Sequence, residues 1–159
     1  MAADFWQVTA IDVGYRNFSW CTLNPHGIVS HDTVDLWQPQ PKRRRQPTRS
    51  DLVAITRQWC LANDDLLRSS DRIVLENQMR DPFIVMNVVI HALYFDKVVV
   101  VHPMTVGSYW HLPHTRVQKK AAAVTLAQQH GVVLPSGKQD DAADTYLMAM
   151  WQLRQMNGT

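Results

Sequence analysis

Residues 6–14 read Trp-Gln-Val-Thr-Ala-Ile-Asp-Val-Gly, an apolar run rich in β-forming residues that stops at an acid and a glycine. Such a run is typical of a buried β-strand, here ending in the carboxylate of Asp12. A carboxylate at the tip of a buried strand costs free energy unless another group pairs with it. A strand can also simply end at the surface, so Asp12 alone does not decide its own role.

The residues that follow predict two strands that pair back on the first. Residues 16–23 alternate between larger apolar and smaller polar side chains, Asn24-Pro25-His26-Gly27 is a turn sequence, and residues 28–37 can form a third strand. The first 37 residues therefore predict an antiparallel meander.

The rest of the chain alternates between helical and strand patterns. A first helix, capped by Ser50 or Asp51, is indicated by apolar residues at spacings of three and four, which are Leu52, Ile55, Trp59, Ala62 and Leu66. Further predicted elements are a strand at 72–76, a helix opening at Asp81-Pro82, a buried parallel strand at 97–102, a loop at 104–114, and helices at 116–130 and 139–156.

The order of elements predicts an α/β fold with a mixed sheet, the first strand lying centrally beside the fourth and helices on the faces. The 159 residues, 46% hydrophobic and 19% charged, fit one globular domain over 1–159. Cys21 and Cys60 have neither metal-site nor disulfide spacing, which favours an intracellular, reducing compartment. No apolar run is long enough to span a membrane, and residues 1–6 lack a signal-peptide pattern.

Further acids lie at the end of another predicted strand and at the start of the last predicted helix. Glu76 closes the strand at 72–76, and Asp140, Asp141 and Asp144 open the last helix, with Asp141 and Asp144 on one face. Acids in a first turn also favour the helix dipole, which could account for one or two of them. Because this helix must pack on the sheet, its first turn is expected to face the strand tips.

Two strand-end acids and two helix acids would form a pocket of oxygen ligands with high negative charge. Hard oxygen ligands select Mg²⁺ or Mn²⁺ over zinc. A pair of such ions is the arrangement typical of phosphodiester hydrolysis. His102, His111 and His114 match no zinc-site spacing.

Three motifs resemble those of one family. Ile11-Asp12-Val13-Gly14-Tyr15-Arg16-Asn17, Leu75-Glu76-Asn77-Gln78 and Lys138-Gln139-Asp140-Asp141-Ala142-Ala143-Asp144 are similar to those of RuvC-type Holliday junction resolvases, in the RNase H-like superfamily. The poxvirus-type and fungal mitochondrial branches are the most similar, and the absence of an added DNA-binding segment suggests a viral origin. The resemblance covers residue 10 to about residue 151.

The resemblance implies an RNase H-like fold with a mixed five-stranded sheet, an antiparallel meander plus parallel strands, flanked by helices. It implies that Asp12, Glu76, Asp141 and Asp144 bind two metal ions, Mg²⁺ or Mn²⁺, with Asp140 the weaker candidate. The family's basic residue corresponds to Lys119 or Lys120. Where the family often has lysine in the last motif, this chain has Gln139, and Lys138 can take its place.

Basic residues indicate contacts to nucleic acid. The loop at 38–49 holds five cations in eight residues, Lys42, Arg43, Arg44, Arg45 and Arg49. Such a loop can be a phosphate-contact arm, a nuclear localisation signal or a solvated segment. In the resemblance Arg16 and Asn17 lie beside the active site, where they could contact the DNA backbone.

The leading hypothesis is therefore a structure-selective endonuclease that resolves four-way DNA junctions as a homodimer at the site of viral or host DNA replication, leaving 5′-phosphate and 3′-hydroxyl ends. No membrane and no organic cofactor are expected. The alternatives are an RNase H-like ribonuclease, a transposase-type strand transferase, or a non-catalytic nucleic-acid-binding protein on the same fold. Ribonuclease H usually places its glutamate on the first helix, whereas Glu76 is predicted to end a strand.

Overall fold

The structure, a computed structural model, describes residues 6–38 and 45–158. Within these residues the strands β1 to β5 are Val8–Asp12, Phe18–Asn24, Gly27–Val34, Arg72–Glu76 and Val98–Val101. The helices α1 to α6 are Arg49–Ala62, Asp64–Ser69, Asp81–Leu93, Pro103–Tyr109, Arg116–Gln129 and Gln139–Asn157.

The strands form one mixed sheet in the order β3-β2-β1-β4-β5. β1 and β2 pair antiparallel, as do β2 and β3, whereas β4 runs parallel to both β1 and β5. The predicted fold class is confirmed, including the central position of the first strand beside the fourth.

Alternation of side chains along the strands divides the core between the two faces of the sheet. Val8, Ala10 and Val74 pack with α5 and α6 on one face. Ile11, Ile73 and other residues of opposite parity pack with α1, α2 and α3 on the other. The even-numbered residues of β1 and β4 therefore face α6.

Helix α6 lies across β1 and β2. Ala142 and Ala143 allow its first turns to approach the sheet closely, and Leu147 is fully buried. A buried leucine contributes about 1.5–3 kcal/mol relative to an exposed one, so Leu147 and Leu153 together hold the helix firmly against the strands. The polar first turn of α6 is consequently fixed in position relative to the strand ends.

The first helix differs from the prediction at both ends. Its N-cap is Thr48 rather than Ser50 or Asp51, because the Thr48 hydroxyl and the Asp51 carboxylate form a reciprocal capping box. The predicted single helix through Leu66 is also divided at Asn63, whose side-chain amide donates to the Trp59 carbonyl at 2.9 Å. A second short helix, α2, begins directly after it.

Two predictions near β5 were wrong. The strand is parallel as expected, but it is an edge strand and Val100 is 47% exposed rather than fully buried. The segment predicted as a loop at 104–114 instead begins with helix α4. His102 caps this helix by accepting a hydrogen bond from the Met104 N–H at Nδ1, and Pro103 occupies its first turn.

No helix of the described residues is both long and apolar enough to cross a membrane. Cys21 and Cys60 are buried free thiols.

Candidate active site

Two carboxylates meet at one end of the sheet because of strand direction and parity. Asp12 is the last residue of β1 and Glu76 the last of β4, and these neighbouring strands are parallel. Ile11 pairs with Leu75, so Asp12 and Glu76 are the next residues along. Both share the parity of the side chains that face α6.

The start of α6 supplies the remaining acids. Asp144 lines a cleft together with Asp12 and Glu76. Asp141 lies one turn earlier and is close enough for its charge to act on Asp12. Of the four acids predicted from the sequence, the structure thus brings three into one cleft and places the fourth beside it.

Burial and mutual repulsion raise the pKa values of these acids. The pKa of Asp12 rises from 3.8 to about 8, chiefly because the carboxyl is buried and also because Glu76, Asp144 and Asp141 are negatively charged. Burial likewise raises the pKa of Asp144 to about 7, with Lys119 opposing the rise and Glu76 adding to it. Burial also raises the pKa values of Glu76 and Asp141. Shifts of this kind concentrate at functional sites.

These carboxylates lack partners among the side chains of the described residues. Within residues 6–38 and 45–158, the side chains of Asp12, Glu76, Asp141 and Asp144 accept no hydrogen bond and form no ion pair within 4.0 Å. A partly buried cluster of unpaired carboxylates is costly unless cations compensate it. The donor set, carboxylate oxygens only, fits Mg²⁺ or Mn²⁺.

The residue types suit a divalent cation, but the described side chains are not arranged as ligands around one ion. In the described part of the chain, no three Asp, Glu, His or Cys side chains converge as ligands of one ion. Electrostatic coupling between Asp12 and the other three acids nevertheless shows that they share one region.

The two candidate lysines occupy different positions. Lys119 lines the cleft with Asp12, Glu76 and Asp144, and its Nζ donates to the Pro103 carbonyl at 3.4 Å. Lys120 instead forms an ion pair with Asp140. Burial acts to raise the pKa of Asp140, but the hydrogen bond and charge of Lys120 outweigh it and the pKa is lowered. Asp140 is thereby paired, in contrast to Asp141.

Polar groups on neighbouring elements fix the backbone of the site. Ser19 lies opposite Asp12 in β2, and its Oγ donates to the Asp141 carbonyl at 3.3 Å. The Asn87 side-chain amide on α3 donates to the Glu76 carbonyl at 2.8 Å. These bonds join the first turn of α6 and the end of β4 to the rest of the fold.

Residues of α4 complete the cleft and were not singled out from the sequence. Pro103, Val106 and Gly107 form one wall, and Leu112 follows just after the helix. His102 acts to lower the pKa of Glu76 and therefore lies near it. The pairing of Glu76 with Val101 explains this, because His102 is the next residue after Val101. The strand pattern alone could have identified His102, but not the helix that follows.

The structure places three of the residues predicted to contact DNA, Arg16, Asn17 and Lys138, next to the elements that carry the acids. A Cβ on Gly14 would lie 2.9 Å from the Asn17 carbonyl oxygen, so the chain after β1 turns too tightly for any other residue. Arg16 is exposed at this turn. Lys138 precedes α6 in a left-handed conformation, with φ 57°, and acts to lower the pKa of Asp141.

The basic loop lies largely outside the described residues, which resume at residue 45. Lys42, Arg43 and Arg44 are therefore not placed. Arg45 forms an ion pair with Asp51 at 3.0 Å, and its guanidinium lies 5.6 Å from the centre of the Trp37 ring. Arg49 is the first residue of α1 and pairs with Asp81 at 3.0 Å. A phosphate would have to compete with these carboxylates.

Tyr109 and Trp110, at the C-terminal end of α4, pack within the protein. Trp110 donates from Nε1 to the Leu147 carbonyl at 3.1 Å and packs against the core on the α6 face. The Arg154 guanidinium lies 4.8 Å from the centre of the Trp110 ring. Tyr109 contacts Trp110 edge-on. These contacts give Trp110 a packing role.

Solved structures share this fold. The yeast mitochondrial Holliday junction resolvase matches with a TM-score of 0.70 at 16% identity, covering 94% of this chain and 80% of that one. The fowlpox virus resolvase, solved with Holliday junction DNA, matches with a TM-score of 0.64 at 14% identity, covering 94% and 98%. The Thermus thermophilus RuvC protein, also solved with a junction substrate, gives 0.62 at 12% identity, covering 97% of each chain.

Sequence comparison gives one further finding. A family model described as Poxvirus A22 protein matches residues 7–155. No curated protein sequence matches the chain.

Proposed function

Because the chain belongs to the Poxvirus A22 protein family, we propose that it is a Holliday junction resolvase that cuts four-way DNA junctions by metal-assisted phosphodiester hydrolysis. The observation that carries this proposal is the cleft that joins Asp12, Glu76 and Asp144, carboxylates with raised pKa values and no protein partner among the described residues. The names of the fold relatives point to the same substrate. Family membership also agrees with a viral origin and with action where viral DNA replicates, in the cytoplasm or nucleus.

The four acids would hold two divalent cations, Mg²⁺ or Mn²⁺. Asp12 and Glu76 are fixed by parallel strands, and Asp141 and Asp144 by a helix packed on those strands, so the ligands come from rigid elements. Bound cations would lower the pKa of the attacking water and neutralise charge on the departing 3′ oxygen. Cleavage then leaves 5′-phosphate and 3′-hydroxyl ends.

Lys119 supports the reaction from the opposite wall of the cleft. Its ammonium shares that cleft with three of the acids and acts to lower the pKa values of Glu76 and Asp144. An ammonium there can also neutralise the scissile phosphate, which an acidic site would otherwise repel. Lys120, paired with Asp140, has the supporting role of holding the start of α6 to α5.

DNA contacts around this cleft would come from two cations and one amide side chain next to the elements that form it. Arg16 and Asn17 follow β1, and Lys138 precedes α6, so all three flank elements that carry the acids. The basic loop, with Lys42, Arg43, Arg44, Arg45 and Arg49, would add phosphate contacts farther along a junction arm.

The acting species would be a homodimer. A junction is resolved into two duplexes by two cuts, and the described residues of each chain form one such acidic cleft. A two-fold dimer supplies two sites whose relation matches the near two-fold symmetry of the junction. Helix α3 offers a surface for this contact, since it carries exposed Ile84 and Val88 next to exposed Val100 of β5.

A cleavage assay with three substrates tests the proposal. A labelled four-way junction, a duplex of the same sequence and an RNA–DNA hybrid are each incubated with and without Mg²⁺. We expect Mg²⁺-dependent cutting of the junction, with little cutting of duplex or hybrid. Preferential cutting of the hybrid would favour an RNase H-like ribonuclease, and tight junction binding without cutting in Mg²⁺ or Mn²⁺ would favour a non-catalytic protein.

A further inference from the structure

We infer that Gly107 is a positioning residue for Lys119, leaving the space in which the lysine side chain reaches the acidic cleft. This inference rests on the proposed function, since it concerns the same site. Gly107 lies in helix α4 and is buried. Its φ is not positive, so the backbone conformation does not require glycine.

Glycine is an unfavourable residue inside a helix. After proline it has the poorest helix propensity, because it loses the most backbone entropy and buries no side chain. Alanine at position 107 would favour α4 unless something occupies the place of its methyl group. The structure identifies what that is.

The space beside Gly107 is taken by the end of the Lys119 side chain. A Cβ at position 107 would lie 3.3 Å from Lys119 Cε and 3.4 Å from Nζ. Among the described residues, and apart from the α4 backbone and adjoining residues, no other atom lies within 4 Å of that point. Close packing of two helix backbones, the usual reason for a buried helical glycine, therefore does not apply here.

The contact between position 107 and the end of the Lys119 side chain lies in the acidic cleft, so it affects where the ammonium is placed. Gly107 and Lys119 line the same cleft as Asp12, Glu76 and Asp144. Lys119 Nζ also donates to the carbonyl of Pro103, one turn before Gly107. The ammonium is thus held along the bare side of α4, facing the carboxylates. A methyl at position 107 would move it by a few tenths of an ångström or rotate it away.

The test compares Gly107→Ala with Thr105→Ala, an exposed position on the same helix. Each variant is assayed for single-turnover cleavage of a four-way junction, junction affinity and melting temperature. We expect Gly107→Ala to cut roughly five- to tenfold more slowly with unchanged affinity, since a misplacement of 1 Å can cost about 100-fold. Thr105→Ala should cut at the wild-type rate.

A double-mutant cycle with Lys119→Ala separates positioning from a general effect on folding. Once the lysine side chain is gone, Gly107→Ala should cause no further loss of rate. It should also raise the melting temperature more in the Lys119→Ala background than in the wild-type one, a comparison that needs no activity.

The outcomes distinguish the two claims. A wild-type protein that cuts no junction would remove the proposed function itself. A wild-type protein that cuts, with Gly107→Ala equally fast, or with the same reduction in rate or the same change in melting temperature in both backgrounds, would overturn the positioning role alone.

Discussion

Asp12 combines two properties that conflict in a protein without bound cations. It must ionise to hold a metal, yet burial and three neighbouring acids raise its pKa to about 8. Metal ligands must be deprotonated, so proton and metal compete for the same oxygens. Metal affinity and cleavage should therefore increase with pH through the neutral range.

Neutralising any one of the four acids should stop cleavage without preventing junction binding. The variants are Asp12→Asn, Glu76→Gln, Asp141→Asn and Asp144→Asn, and each would remove a proposed metal ligand while leaving the residues proposed to contact DNA in place. The reduction in rate should exceed the roughly 10–100-fold that removal of an outer partner of a metal ligand costs. Asp96→Asn, an exposed acid just before β5, is the matched control. Two of the four variants cutting at wild-type rates would contradict the two-metal interpretation.

The stability of the metal-free protein should depend on Asp12 in a defined direction. Folding raises the pKa of Asp12, so the Asp12 carboxyl stabilises the folded state below pH 4. This stabilisation is lost as the pH rises towards 8. One pKa unit corresponds to about 1.4 kcal/mol. In EDTA, Asp12→Asn should therefore become progressively more stable than the wild type between pH 5 and pH 8.

Thermal melts across that pH range make the comparison. A gain of 1 kcal/mol raises the melting temperature of a chain of this size by about 2–4 °C. Asp96→Asn should show no such trend. A constant difference between Asp12→Asn and the wild type would show that Asp12 is not destabilised by ionisation.

At the scale of elements, the strands and the last helix were predictable because their patterns are strong. The run that ends at Asp12 and the run that ends at Glu76 each contain buried residues in sequence, and α6 begins at the predicted residue, Gln139. Since parallel strands end at one edge, their terminal acids could be expected to meet. The sequence thus sufficed to place the first strand beside the fourth and to place Asp12 and Glu76 at one edge of the sheet.

Other features depend on contacts that no local pattern reveals. Helix α4 is short and contains Gly107, so its sequence resembles a loop, and its cap by His102 is evident only in the structure. Lys119 and Lys120 are adjacent and equivalent in sequence. In the structure Lys119 lines the cleft, whereas Lys120 pairs with Asp140. This difference depends on how α5 is oriented relative to α4 and α6.

The basic loop should contribute salt-dependent affinity. Neutralising Arg43, Arg44 and Arg45 to glutamine should weaken junction binding and reduce the slope of log K against log salt by about 0.9 for each phosphate that is no longer neutralised. Folding should change little, because the Arg45–Asp51 pair lies at the surface, with side chains 48% and 25% exposed, and surface pairs contribute about 0–1 kcal/mol. Binding measured across a salt series provides the slope.

Arg72→Gln is the control for this experiment. Arg72 is exposed and begins β4, at the opposite end of the strand from Glu76. Its removal should leave the slope unchanged. If the slope of log K against log salt is also unchanged in the triple variant, the loop does not bind phosphate and is a localisation signal or a solvated segment.

At the scale of the whole molecule, the described residues include an exposed apolar surface on α3 and β5. Val88 is 60% exposed and Phe95 73% exposed on and just after α3, and Val100 lies nearby on the edge strand. Met86 and Ile90 of the same helix are buried against the core. The helix is therefore apolar on both sides, as expected if a second chain covers the outer one.

Val88→Glu should give a folded monomer that nicks junctions singly. A buried charge without a partner would oppose association, whereas an exposed one leaves the monomer stable. Light scattering measures the mass, and Val133→Glu, at a loop position 84% exposed, is the control. A wild-type mass near 18.3 kDa in a preparation that resolves junctions would contradict the homodimer.

The fate of a single junction tests the proposed resolvase activity without intermediate assumptions. A four-way junction labelled on each strand in turn is incubated with the protein and Mg²⁺, and the products are then treated with DNA ligase. We expect cuts in two strands of like polarity and products that ligase seals without processing, because the ends are 5′-phosphate and 3′-hydroxyl. Intact junctions in both Mg²⁺ and Mn²⁺, or ends that ligase cannot seal, would contradict metal-assisted junction resolution by this protein.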